Sequence, residues 1–86
     1  MKSVFLLMAQ YDALALIPLD RVCRDYFPHL KPEKFLRKVN AGEIDIPVVR
    51  MENSQKCAKG VHVEDMAAYL DKRREAAIRE AKAINS

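Results

Sequence analysis

This chain predicts an α+β fold, mostly helical, and three observations carry that prediction. Two short apolar-faced helical segments are joined by only about four residues, the spacing of a helix-turn-helix. A β-rich run follows them, then a polar stretch and a second alternating run, which together read as a two-stranded hairpin. A long segment with an acidic start and an apolar stripe closes the chain. Helix, tight turn, helix, hairpin and long carboxy-terminal helix make a winged helix-turn-helix, the hairpin being the wing. At 86 residues this is one domain over residues 1–86, burying roughly 60% of its unfolded surface.

The elements follow in order. Residues 3–11 read as a short apolar helix with Ser3 as a possible cap; a strand competes, because a short apolar run has no decisive period. Asp20 is placed to cap a helix beginning at Arg21 and running to about Phe27. Val22, Cys23, Tyr26 and Phe27 share one side of it; Arg21, Arg24 and Asp25 share the other. Pro28 ends it. Pro32 suits the first position of the next helix, and Glu33 suits the positive end of its dipole, although Lys31 is a poor capping residue. That helix continues through Phe35, Leu36 and Val39 until Gly42 supplies a left-handed stop. Residues 44–51 form the first strand, with Pro47 restricting it to an edge or a late start. Residues 52–60 form the loop and residues 61–63 the second strand. Glu64 and Asp65 open the last helix, which runs to about Ala83, with residues 84–86 as a fraying end. Met66, Leu70, Ala77, Ala81 and Ile84 line one stripe of it.

Composition narrows the function. Half the residues are hydrophobic and 31% are charged, the balance of a folded domain and not of a disordered tail. Two Gly and no Trp argue against a glycine-rich phosphate loop or a repeat array. Cys23 and Cys57 are too few for a disulfide scaffold and point to reduced thiols. Joined with His29 and His62 they lack the spacing of a zinc site, so Cys23 reads as a core residue and His29 as a loop residue. No run is long enough for a membrane helix, and no signal-peptide pattern is evident. A cytoplasmic protein without membrane contact is expected. The net charge of +3 is only a slight pull toward polyanions.

The second helix of the pair carries the meaning. At about 100° per residue, Phe35, Leu36 and Val39 share one arc, while Lys34, Arg37, Lys38 and Ala41 occupy the opposite one. Lys31 adds a cation at the helix start, and Lys56 and Lys59 lie toward the hairpin tip. A cationic face on any exposed helix is first a solvated face. Here it falls on the helix that would enter the major groove. Glu43 and Asp45 would share one side of a strand, but so short a chain has little room for a catalytic pocket, and surface charge is the better reading. His62 should point outward between the inward Val61 and Val63. Neither Ser3 nor Ser54 has a His–Asp pattern beside it, so neither an enzyme nor a cofactor or metal is implied.

FLLMAQY (residues 5–11), IPLDRVCRDYF (17–27), PEKFLRKVNAGEI (32–44), SQKCAKGVH (54–62) and DMAAYLDKRR (65–74), taken in order, resemble the pyocin activator protein PrtN family over roughly residues 4–75. The middle of the chain also looks like the excisionase and MerR type of winged helix, at Gly42-Glu43-Ile44. The resemblance implies a small bacterial DNA-binding transcription activator of bacteriocin (pyocin-like) or prophage genes. Double-stranded DNA is then the expected partner. Lys31, Lys34, Arg37, Lys38, Lys56 and Lys59 are the expected contacts, with Arg37 the residue best suited to a guanine. RNA polymerase is a further candidate partner, with no segment identified to touch it. A homodimer, at least on DNA, is expected from the last helix's stripe. Two rivals remain: an excisionase-like protein that bends DNA, and a protein-interaction adaptor or anti-repressor using the apolar amino-terminal segment and the last helix.

Overall fold

The computed structural model describes residues 2–85. The helices are α1 (Ser3–Gln10), α2 (Leu19–Tyr26), α3 (Pro32–Asn40) and α4 (Val63–Asn85); the strands are β1 (Leu16–Pro18), β2 (Val49–Arg50) and β3 (Lys59–His62). The architecture is α+β and mostly helical, with the expected long last helix. The amino-terminal run is settled as helix over Ser3–Gln10, closed by Tyr11, with Ser3 its first residue and not its cap. Leu7 and Tyr11 turn inward from it and Val4 packs against the core.

The hairpin is larger than a two-stranded wing. The sheet has three antiparallel strands in the order β1-β3-β2, with Ile17 opposite Val61 and Val49 opposite Gly60. The added strand comes from the apolar run before α2. Its Pro18 sits on an edge strand, where a missing N–H breaks no inner ladder. Conversely, the strand expected over residues 44–51 shortens to Val49–Arg50. Ile44 and Ile46 are buried, but the Ile46 amide turns back to the Ile44 carbonyl and Pro47 offers no donor, so the segment stays extended and unpaired. Glu43 and Asp45 therefore do not face one another on a strand; they pair with Lys38 and Lys72.

Helix starts also differ from expectation. α2 begins at Leu19, one residue before Asp20, which lies in the first turn and makes no side-chain cap bond. Pro18 precedes it with a fixed φ suited to helix entry. α3 starts at Pro32, behind an extended Lys31 that likewise gives no side-chain cap. Gly42 has φ +78°, as a left-handed stop requires, and its amide bonds to the Val39 carbonyl. α4 is initiated by His62, whose Nδ1 accepts the Glu64 amide at 3.1 Å. Val61 and Val63 are buried on either side of His62, but the strand expected over residues 61–63 runs instead over Lys59–His62, and Val63 is already the first residue of α4. α4 continues through Asn85, past the expected end; Ser86 lies outside the described residues.

One core joins these elements. Tyr11, Ile17, Val22, Phe35, Val61 and Met66 are fully buried. Phe27, at the end of α2, meets Phe35 of α3 edge-on with centroids 5.0 Å apart and Tyr69 of α4 at 5.9 Å. The α2–α3 pair is thus held against α4 by aromatic contact. Cys23 is buried in the same core as a free thiol, and His29 is exposed in the turn.

Candidate nucleic-acid interface

α3 is anchored by one face and open on the other. Phe35 is buried, and Leu36 and Val39 pack against the core. Lys31, Lys34, Arg37 and Ala41 are exposed. Among the described residues, the side chains of Lys34 and Arg37 have no hydrogen-bond or ion-pair partner within the chain. Lys38 differs: it is half-buried, and its ammonium lies 3.6 Å from Glu43, whose amide also bonds to the Lys38 carbonyl. A surface pair of this kind contributes at most about 1 kcal/mol and leaves Lys38 available for exchange to a stronger anion. Glu33 is the acidic residue on α3, in its first turn.

The wing places its cations unequally. Lys56 is exposed in the turn; its amide bonds to Ser54 Oγ, which shapes the tip, and its side chain is unpartnered among the described residues. Lys59 is not in the loop but begins β3. Its ammonium donates to the carbonyls of Gln55 at 2.6 Å and Cys57 at 3.5 Å. Two of three ammonium donors are spent on bracing the loop, leaving one. Arg50, which the sequence reading passed over, is exposed on β2 directly opposite Lys59. Like charges facing across a strand pair are destabilising unless an anion lies between or above them. Only the register reveals this pair; the available signal was a cation at the end of a β-rich run.

Other chemistry is sparse. No cluster of three or more His, Cys, Asp or Glu side chains able to hold a metal occurs among the described residues. Cys57 is a free, half-buried thiol, and burial with nearby Asp20 pushes the Cys23 thiol up. No helix among the described residues is long and apolar enough to cross a membrane.

A helix pair with an outward basic second helix, followed by a small sheet with a cationic tip, is compatible with the winged-helix class of regulatory domain. The model of the pyocin activator protein PrtN family matches residues 3–77, and the chain belongs to that family. Neither a curated protein nor a solved structure matches the chain.

Proposed function

We propose that this protein binds duplex DNA through α3 and the wing and so activates transcription of pyocin-type or prophage genes. The observation that carries the reading is the unpaired cationic face of α3, Lys34 and Arg37 beside the small Ala41, on a helix rigidly anchored by Phe35. Such a face can approach base edges without disturbing the core. Arg37 has the two-pronged geometry for a guanine; Lys31, Lys34 and Lys38 suit phosphates. Lys56 and Arg50 reach for the flanking backbone, with Lys59 holding the loop in shape and contributing its remaining donor.

Arg37→Ala tests this. Stability should change by about 0.5 kcal/mol or less, because the side chain is exposed. Binding to the operator should weaken by roughly 1–3 kcal/mol, and binding to unrelated DNA far less. Titrations of both duplexes at one salt concentration check it. Equal loss on both would remove α3 as the reading element. One observation favours the adaptor reading instead: Phe5 and Leu6 of α1 are 57% and 56% exposed. Under that reading DNA affinity is weak and the same for operator and unrelated DNA from the outset.

A further inference from the structure

α4 packs its first turns on the domain and then leaves it. Val63, Met66 and Ala67 are buried, and Leu70 packs against the core. At about 100° per residue the same face continues, after the exposed Arg74, as Ala77, Ala81 and Ile84, with Ile78 at its margin. All four are exposed, Ile84 by 82%. The stripe expected from sequence therefore divides: its first two members serve this domain, and the rest cover nothing within it. The molecule extends 50 Å in one direction against 29 Å and 19 Å in the others. A helical tail of this length, unpacked, is marginal in water.

We propose that a second copy of this chain covers the tail, the two α4 helices pairing antiparallel about a two-fold axis beside Ala77. Charge complementarity selects this occupant. Arg73 and Glu80 lie on one flank of the exposed face, about 10 Å apart along the helix, too far to pair within one chain. A two-fold axis near Ala77 sets Arg73 against Glu80 of the second copy, and Glu80 against its Arg73. At the axis Ala77 meets Ala77, small enough for close helix approach, with Ile78 beside Ile78. At each end Leu70 meets Ile84 of the second copy, which covers the most exposed apolar side chain of the tail. The interface is isologous, so it closes at two copies. Its length places it at the small end of specific interfaces. This inference does not depend on the DNA reading.

Sedimentation of the full chain without DNA, across the micromolar range, tests it. A reversible monomer–dimer equilibrium is expected. Ala77→Glu, which sets two carboxylates at the axis, should weaken association by roughly a hundredfold or more. Arg73→Glu should weaken it too, and adding Glu80→Arg should restore it, because the two positions meet only between chains. Circular dichroism should show the helix content of each variant unchanged, as the positions are exposed. A chain that stays monomeric throughout overturns the proposal. So does a dimer that Ala77→Glu leaves intact, or a charge-swapped double variant no better than Arg73→Glu alone. Because DNA is absent, any of these results leaves the reading of α3 standing.

Discussion

Tyr11 is fully buried, yet its hydroxyl reaches Asp25 at 2.7 Å, and the Arg21 guanidinium sits 4.8 Å from its ring centroid. Burial first, and then the bond to Asp25, push the phenol above its ordinary range. The bond from Arg24, followed by that from Tyr11, holds the Asp25 carboxyl below its ordinary range. A carboxyl lowered by folding stabilises the fold at pH above its unfolded value, about 3.9, and that stabilisation is lost as pH falls through the lowered value. Tyr11→Phe should cost about 1.5–3 kcal/mol at neutral pH, the worth of a hydrogen bond to a charged group. Below about pH 4 the wild type should lose stability more steeply than Asp25→Asn, which has no carboxyl to titrate. Urea unfolding at a series of pH values checks both; parallel pH profiles would remove Asp25 from acid sensitivity. The sequence placed Tyr11 at the end of an apolar run and Asp25 on the outer side of α2. Nothing local joins them, because the bond spans two elements.

Elements show the same division between local and distant causes, and the two glycines separate it. Gly42 is a helix stop whose φ of +78° demands glycine, with open space around it. That role follows from its position after an apolar helical period. The sequence pattern puts Gly60 at the end of a loop. It lies on the central strand, and a Cβ there would stand 2.6 Å from the Ile17 carbonyl oxygen and 2.8 Å from Leu16 Cγ. The first obstacle is backbone and cannot swing aside. Gly42→Ala should cost about 1 kcal/mol through backbone strain. Gly60→Ala should cost more, about 2–3 kcal/mol, by forcing β1 and β3 apart. Denaturant titration ranks them; the reverse order would mean that β1 yields easily. No reading of consecutive residues could find this contact, because β1 was seen only as an apolar run.

At the scale of the whole molecule, α3 and the wing tip present separate groups of cations. If both lie on DNA, binding weakens with salt in proportion to the phosphates neutralised. Replacing Arg50 and Lys56 together with Ala should lower the slope of log affinity against log salt by about two. Lys59→Ala should lower it by less than about one, since two of its donors already serve the loop carbonyls. Preference among operators should survive in both cases, because phosphate contacts carry register and not sequence. Titrations at four or five salt concentrations measure the slopes. An unchanged slope in the double variant would turn the wing away from DNA.

The amino-acid sequence by itself determined the order of helices, the tight link between α2 and α3, the left-handed stop at Gly42 and the two faces of α3. Each depends on a period or a signal within a few consecutive residues. Tertiary structure alone decided that residues 16–18 join the sheet, that Lys59 braces its own loop while Arg50 stands opposite, that Lys38 turns to Glu43, and where along α4 the core ends. Those outcomes depend on which distant segments come within reach and how much volume they fill. The stripe on α4 runs in sequence from Met66 to Ile84, broken only by Arg73 and Arg74. Only the size of the domain beneath it determines that Met66 is buried and Ile84 is left in water.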